Sequence, residues 1–153
     1  MIKIVSVGKV KSNHLKALIE DYVEKVSHYS KIEVIECKDE DLSKTLPEKV
    51  KEIEGERILK QIKNEDFVIL LDLRGKHVDT MAFKDKIQSL IDSSKNIDFV
   101  IGGSIGVSDE VKNRANMLLK LSDMTFLHQM TRLIILEQIY RAFKIMNNET
   151  YHK

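Results

Sequence analysis

Hydrophobic residues occur along this chain in two alternating patterns, short apolar runs and more widely spaced apolar positions. The short runs are rich in β-branched residues and predict strands at residues 2–7, 32–37, 67–73, 97–101 and 117–121. The third run is almost continuously apolar, as expected of a central strand that is covered on both faces. Arg74, Gly75 and Lys76 follow it and are predicted to end that strand.

The spaced apolar positions predict a helix after every strand. Apolar residues recur three or four positions apart and favour helices at about residues 15–26, 47–63, 80–93, 109–113 and 128–146. Ser12 or Asn13 is expected to cap the first helix, and Ser108 the short fourth one. Pro47 suits the first turn of the second helix.

This alternation of strands and helices indicates an α/β protein. It predicts a mostly parallel sheet with helices on both faces. At 153 residues, without a repeat or linker, the chain is expected to form a single domain spanning residues 1–153. Ligands of such folds bind beyond the carboxyl ends of the strands. Residues 74–75, 102–106 and 122–128 all follow predicted strands, so these three loops are expected to converge on one pocket.

Composition narrows the classes of function. The net charge of +1 is unlike that of a strongly basic nucleic-acid binder, although a local patch could still hold phosphate. Cys37 is the single cysteine and is expected to be buried in a protein of a reducing compartment. Lysines interrupt the first sixteen residues, so no secretory signal peptide is expected. No apolar run approaches the roughly 20 residues of a membrane span. A soluble, cytoplasmic protein without a membrane segment is expected.

The glycine-rich turn at residues 102–106 is the first candidate for ligand binding. The turn is not a P-loop, because the Gly-Lys-Ser/Thr ending is missing. The dinucleotide-binding fingerprint is also absent, because it should follow the first strand, where Gly8 is the only glycine. Ser104 and His128 could suggest a hydrolase, but the nucleophile-elbow pattern is not present. A plain tight turn therefore remains an alternative. Because no cysteine or histidine pair has zinc spacing, no metal is expected.

The last predicted helix carries charged residues among apolar ones. Glu137 and Arg141 are four residues apart, which an ordinary helix ion pair would explain. His128, at the start of the helix, could equally be a capping or core histidine. The helix is apolar nearly all round, and the side away from the sheet is expected to pack in a homodimer. The apolar residues are Leu133, Ile134, Ile135, Leu136, Ile139, Ala142, Phe143, Ile145 and Met146.

The chain ends in an aromatic and basic segment made of Tyr151, His152 and Lys153. Such a tail is commonly frayed. An aromatic ring, an imidazole and an ammonium could instead stack on a base and contact phosphate.

Several segments, taken in order, resemble the ribosomal RNA large subunit methyltransferase H (RlmH) family. They are KIVSVGK at residues 3–9, EGERIL at 54–59, VIGGS at 100–104, MTF at 124–126, HQM at 128–130, EQIYRAF at 137–143 and YHK at 151–153. The resemblance covers essentially the whole chain. It implies a SPOUT-class methyltransferase with a carboxyl-terminal trefoil knot, S-adenosylmethionine as cofactor and a homodimeric state. The implied substrate is a pseudouridine of 23S rRNA, methylated at N3 in assembled ribosomes.

The resemblance also assigns residues to the site. Cofactor contacts are expected from Leu71, Gly103, Ser122, Asp123, Met124, Thr125, Phe126 and Leu127. Transfer to N3 requires that the nitrogen lose its proton, and His128 and Glu137 are the candidate acceptors. Arg132 and Arg141 could stabilise the base anion or hold phosphate. Tyr151, His152 and Lys153 could close over the target base, from the same or the partner subunit.

Two positions depart from the family pattern. Leu127 stands where the family usually has proline, and Ile105 stands where related chains often carry a polar residue. Loss of proline could loosen the loop before the last helix and weaken cofactor binding. These departures keep open a non-enzymatic alternative, a dimeric ribosome-binding or assembly factor of the same fold. A small α/β hydrolase or nucleotide-binding enzyme that uses the same glycine turn is a second alternative.

Overall fold

Strands and helices alternate through residues 1–151, the part of the chain described by a computed structural model. The strands are β1 (Ile2–Val7), β2 (Ile32–Cys37), β3 (Phe67–His77), β4 (Ile97–Ile101) and β5 (Met117–Lys120). The helices are α1 (Asn13–Ser27), α2 (Pro47–Leu59), α3 (Thr80–Asp92), α4 (Asp109–Arg114) and α5 (His128–Met146). Every strand and helix predicted from the apolar pattern is present.

Within residues 1–151 the strands form one parallel sheet in the order β2-β1-β4-β3-β5. Helix α5 packs between α1 and α3 on one face, and α2 packs with α4 on the other. Side chains alternate between the two faces, so that Ile4 joins the first core and its neighbour Val5 the second. The predicted α/β class, with a parallel sheet and helices on both faces, is confirmed.

Strand β3 is longer than predicted and does not end at Arg74, Gly75 and Lys76. It continues to His77 after an irregularity, and Leu119 of β5 is the register partner of both Leu71 and Lys76. An ideal Cβ on Gly75 would lie 2.5 Å from the carbonyl carbon of Leu118. Gly75 therefore allows the two strands to approach closely, where a larger residue would end the pairing.

Helix α2 is shorter than predicted, since it ends at Leu59 instead of about residue 63. The following residues form turns that the guanidinium of Arg114 holds by donating to the carbonyl oxygens of Lys63 and Asp66. Ile62 still packs against the core beneath this face. Its apolar side chain, which suggested a continuing helix, is buried from a turn.

Capping side chains fix the starts of three helices. Ser12, Asp79 and Ser108 accept hydrogen bonds from the backbone N–H groups three residues later. Of the two candidates for α1, the cap is Ser12 and not Asn13. Cys37 is buried at the end of β2, as predicted.

A buried charged cluster lies at the amino ends of the strands, far from the loops that follow them. The Nζ atom of Lys3 lies 3.0 Å from a carboxylate oxygen of Asp66 and 3.3 Å from one of Asp98. Burial and the neighbouring Asp66 raise the pKa of Asp98. Burial alone would raise the pKa of Asp66 too, but hydrogen bonds from Lys3 and the Lys63 N–H outweigh it and lower that pKa.

Residues 1–151 contain neither a candidate membrane-spanning helix nor a candidate metal-binding group. No helix there is long and apolar enough to cross a membrane. In the same residues, no three histidine, cysteine, aspartate or glutamate side chains are grouped so that they could hold a metal ion.

Candidate active site

A cavity of about 490 Å³ lies at the carboxyl ends of β3, β4 and β5. Its walls are residues 71–74 within β3, the glycine turn after β4, and residues 121–122 and 124–126 after β5. His128 and Thr131, on the first turn of α5, complete it. The predicted convergence on one pocket holds for the loops after β4 and β5, whereas residues 74–75 belong to β3 and only Arg74 of the two lines the cavity. The volume suits a small organic ligand.

Most residues expected to contact a cofactor line this cavity. Six of the eight do so, namely Leu71, Gly103, Ser122, Met124, Thr125 and Phe126. The other two lie beside it. The carboxylate of Asp123 pairs with Lys120, and the Leu127 side chain is 75% exposed.

Local hydrogen bonds within the loop and the first turn of α5 hold the loop before α5. The hydroxyl of Ser122 accepts from the Met124 N–H at 3.0 Å, and the carbonyl of Leu127 accepts from the N–H and hydroxyl of Thr131. Leu127 has φ −55° and ψ 135°, which a proline can also adopt. The backbone at this position would therefore accept proline, the residue that the resemblance implied here. Ile105, the second departure, does not line the cavity.

The glycine turn is required by packing inside the protein as well as by access to a ligand. Gly106 has φ +88°, and its N–H donates to the carbonyl of Gly103 at 3.1 Å. An ideal Cβ on Gly102 would lie 2.6 Å from Cγ1 of Val107. One on Gly103 would lie 2.9 Å from Oε1 of Glu54, a buried carboxylate below the turn. A larger residue at Gly103 would therefore strike Glu54 first, and its effect on ligand binding would be indirect.

The sequence patterns missed Asp72, which also lines the cavity. Burial alone would raise the pKa of this carboxyl, but hydrogen bonds from the N–H and side chain of Arg74 outweigh it and lower the pKa. Among the lining residues, all within residues 1–151, Asp72 is the one carboxylate. Its position directly after the apolar run of residues 67–71 was the available signal.

His128 borders the cavity and also a smaller one of about 50 Å³ beneath the glycine turn. Burial lowers the pKa of its imidazole, and the neighbouring Arg132 cation lowers it further. The ring is therefore neutral at neutral pH and can accept a proton. This geometry is consistent with the acceptor role predicted for His128.

The prediction that Arg132 contacts the base or a phosphate is wrong, because its side chain does not face the cavity. Its guanidinium is fully buried and bonds the Glu36 carboxylate at 2.7 Å and the carbonyl oxygens of Val7 and Gly8 at 2.9 Å. These bonds tie α5 to the carboxyl ends of β1 and β2. The structure gives Arg132 a position inside the fold, where it cannot contact a base or a phosphate.

Glu137, Arg141 and Tyr151 form a second cluster, near the other end of α5. Arg141 Nε donates to Glu137 Oε1 at 3.1 Å, which confirms the predicted helix pair. The Tyr151 hydroxyl donates to the same oxygen at 3.3 Å, and the guanidinium carbon of Arg141 lies 4.7 Å from the centre of its ring. His152 and Lys153, also assigned to the site, lie outside the described residues.

The two groups of candidate residues are far apart in one chain. His128 and Arg141 are thirteen residues apart on a continuous helix, and a rise of about 1.5 Å per residue separates them by roughly 20 Å. The cavity and the second cluster therefore do not form one site within a single copy.

Comparison with known proteins identifies the family. The family model described as "Predicted SPOUT methyltransferase" matches residues 1–152, nearly the full chain. The chain belongs to the SPOUT methyltransferase family. Membership in this family makes the protein a methyltransferase, and the hydrolase alternative is not supported.

Relatives within the SPOUT family are similar over their full length. The chain is 45% identical to the ribosomal RNA large subunit methyltransferase H of Acetivibrio thermocellus. It is 47% identical to the protein of that name from Clostridium botulinum (strain Kyoto / Type A2), and 46% identical to that from Clostridium tetani. Each alignment covers 99% of both chains.

A solved structure shows the same fold at low identity. A probable methylase family protein from Haemophilus influenzae Rd KW20 matches with a TM-score of 0.54 and 16% identity. The match covers 96% of this chain and 66% of that one. This similarity supports the SPOUT fold and carries no information about substrate.

Proposed function

We propose that this chain methylates N3 of a pseudouridine in 23S rRNA of assembled ribosomes, with S-adenosylmethionine as the methyl donor. The observation that carries the proposal is the identity of 45–47%, over 99% of both chains, to proteins named ribosomal RNA large subunit methyltransferase H. The pseudouridine and its N3 atom follow from the family resemblance of the sequence motifs. With this substrate, the reaction takes place in the cytoplasm.

The residues of the cavity fit such a cofactor. Leu71, Leu119 and Phe126 provide apolar walls for an adenine ring, while the glycine turn offers backbone without side chains. Asp72 provides a carboxylate for a cationic or hydroxyl-bearing ligand. S-adenosylmethionine would supply a methyl group already activated by its sulfonium, so the protein has to align the reactants and manage one proton.

Removal of the proton from N3 is the step that side chains of this protein must assist. An imide-like N–H loses its proton on the order of pH 9–10, so a positioned base is needed at neutral pH. His128 is neutral and borders the cavity, which favours it as the acceptor. Glu137 already accepts hydrogen bonds from Arg141 and Tyr151. It is better placed to orient those groups on the base.

A homodimer would bring the two groups of residues together. The second cluster of one copy would then act at the cavity of the other, which removes the separation of roughly 20 Å along α5. Exposed apolar side chains surround the cavity mouth and suit burial against a second copy. They are Leu73, Met124, Phe126, Leu127 and Met130.

The dimer surface proposed here differs from the one that the sequence suggested. Much of the apolar surface of α5 is covered by α1 and α3 of the same chain, and Ile135, Leu136 and Ile139 are fully buried there. Support for the dimer therefore comes from the exposed apolar side chains at the cavity mouth, most of which lie in the loop before α5 and on the first turn of that helix.

We also infer that the carboxyl-terminal part of the chain is knotted. The pairing of Leu119 with both Leu71 and Lys76 supports this, because residues 72–75 leave β5 and return to it. The close approach of Gly75 to Leu118 and Leu119 fits a strand surrounded by this segment.

Labelled methyl transfer tests the proposed function. Intact ribosomes, free subunits and naked rRNA would be incubated with the protein and labelled S-adenosylmethionine, and the modified base mapped. We expect N3-methylpseudouridine in intact ribosomes alone. Cofactor binding without transfer to any of these substrates would favour the alternative of a ribosome-binding or assembly factor.

A further inference from the structure

All four tyrosines of the chain lie in one cluster where α1 packs on α5. Tyr22 is on α1, Tyr29 is in the turn that follows α1, Tyr140 is on α5, and Tyr151 follows α5. The ring centres of Tyr140 and Tyr151 are 5.0 Å apart, and those of Tyr22 and Tyr140 are 6.0 Å apart. Helix α1 lies outside the cavity and has no place yet in the proposed reaction.

Hydroxyl groups connect α1 to the second cluster in a defined order. The hydroxyl oxygens of Tyr22 and Tyr151 are 3.4 Å apart, and Tyr151 lies 3.3 Å from Oε1 of Glu137. A carboxylate can only accept, and a phenol has one proton to donate. Tyr151 therefore donates to Glu137, and Tyr22 must donate to Tyr151. Both distances are long for hydroxyl bonds, as is common before a substrate binds.

A separate contact holds the start of the tail. The hydroxyl of Tyr29 donates to Oε1 of Glu149 at 2.7 Å, and Lys144 donates to the other oxygen at 2.6 Å. The ring of Tyr29 stacks on Phe143 with centres 5.5 Å apart. Helix α1 and the turn after it thus hold the tail at two points, and the Tyr22 hydroxyl is the one that contacts Tyr151.

We infer that Tyr22 is a positioning residue for methyl transfer, whose hydroxyl orients Tyr151 and, through it, Glu137 toward the target base. This inference rests on the proposed function, in which Tyr151 and Glu137 act on that base. The hydrogen bond from Tyr22 fixes the rotation of the Tyr151 hydroxyl, so that its proton points at Glu137. Without it, the tail stays attached through Tyr29, but the Tyr151 hydroxyl loses the hydrogen bond that orients it.

Tyr22→Phe isolates this role because it keeps the ring and removes the hydroxyl. The ring contact with Tyr140 is retained, so the melting temperature should fall by no more than a few degrees. We expect kcat on ribosomes to fall about tenfold, as for the loss of one hydrogen bond of ordinary strength. The cofactor Kd and the KM for ribosomes should stay at the wild-type values.

Tyr29→Phe, in the turn that follows α1, is the matched control. It also removes one hydroxyl that bonds the tail, but that hydroxyl contacts Glu149 and not Tyr151. Its kcat should stay within about twofold of the wild type, since no bond to the second cluster is lost. An equal loss in both variants would mean that Tyr22 only helps to attach the tail, and would overturn the inference.

A double-mutant cycle tests whether Tyr22 acts through Tyr151. If it does, Tyr22→Phe combined with Tyr151→Phe should be no slower than Tyr151→Phe alone. Additive losses, or a Tyr22→Phe variant at the wild-type rate, would overturn the inference while leaving the proposed function intact.

A measurement on the free protein keeps the two proposals distinguishable. If the wild type transfers no methyl group, the proposed function fails, but the coupling can still be read from the ring-carbon NMR signals of Tyr151. These should shift in Tyr22→Phe and remain in place in Tyr29→Phe. Unchanged signals in Tyr22→Phe would contradict the positioning role without any reference to activity.

Discussion

His128 and Arg141 lie on the same helix, but His128 belongs to the cavity and Arg141 to the second cluster. His128 begins α5 beside the cavity, whereas Arg141 pairs with Glu137 more than three turns later. Because the helix is continuous, it keeps the two side chains roughly 20 Å apart along its axis. One copy therefore cannot use both at the same ligand. The arrangement instead favours a site completed by a second copy, with His128 from one and Arg141 from the other.

Replacing His128 by Ala should slow methyl transfer by about 100-fold or more, as expected for loss of a general base. Cofactor binding should be nearly unchanged, because the imidazole forms only part of one wall. The pKa of His128 lies below its usual 6.5 owing to burial and the Arg132 cation. The wild-type rate should therefore fall as the pH drops through this lowered pKa and the ring becomes protonated.

Steady-state rates between pH 5 and 8 provide the measurement. His14→Ala is a suitable control, since His14 is exposed on α1. A His128→Ala enzyme with the wild-type rate and pH profile would exclude His128 as the acceptor.

Replacing Leu127 by Pro should strengthen cofactor binding modestly. The backbone there already has φ −55°, and proline retains the carbonyl that accepts from Thr131. Restricting the unfolded and open states should add roughly 0.4–1 kcal/mol of stability. Calorimetric titration with S-adenosylmethionine and thermal unfolding would measure both effects.

Met124→Pro is the contrasting variant in the same loop. It removes the N–H that donates to Ser122, so it should weaken cofactor binding. If both prolines weaken binding equally, the loop must change its conformation when the cofactor binds.

Asp98→Asn should stabilise the protein above neutral pH. Burial and Asp66 raise the pKa of Asp98 from 3.8 to about 7 in the folded protein. The folded state is thus penalised as the pH rises above 3.8, and the penalty is complete above about 7. The variant should gain melting temperature at pH 8 and little near pH 4.

Asp66→Asn should have the opposite effect. Burial opposes the ionised form of Asp66, but hydrogen bonds from Lys3 and the Lys63 N–H hold its pKa at about 2. The stability that this carboxylate contributes is present above pH 3.8 and is lost as the pH falls toward 2. The variant should therefore be less stable than the wild type at neutral pH. Equal melting curves for the two variants would contradict this assignment of charges.

The apolar pattern predicted the elements because each core depends on local alternation. Phe99 and Val100 are neighbours in β4 that point into different cores, as the strand pattern requires. The extension of β3 past Gly75 was not predictable from its own residues, because the extension depends on pairing with β5. The end of α2 was missed for a similar reason, since Arg114 organises the turns that follow.

The candidate site was predictable where it depends on strand ends and motifs, as at Leu71 and Phe126. It was not predictable where tertiary contacts decide. Arg132 looked free to bind a ligand, but its guanidinium satisfies the ends of β1 and β2. Likewise, no spacing in the sequence indicates that Tyr22 reaches Tyr151, which is 129 residues away.

Removing residues 151–153 should leave the cofactor Kd near the wild-type value while methylation of ribosomes collapses. The deletion removes Tyr151, which bonds Glu137 and is not among the residues that line the cavity. Filter binding of labelled cofactor and methyl incorporation would be measured on the same preparation. Unchanged methylation would show that the tail has no part in the reaction.

Mixing two inactive variants would show whether the site is shared between two copies. One copy carries His128→Ala and the other lacks residues 151–153, and the two are unfolded and refolded together. In a shared site, each mixed dimer has one intact combination of cavity and tail, so about a quarter of the wild-type activity should return. If each copy uses its own tail, no combination is intact. The mixture would then remain as inactive as its components, which would contradict a site completed by the second copy.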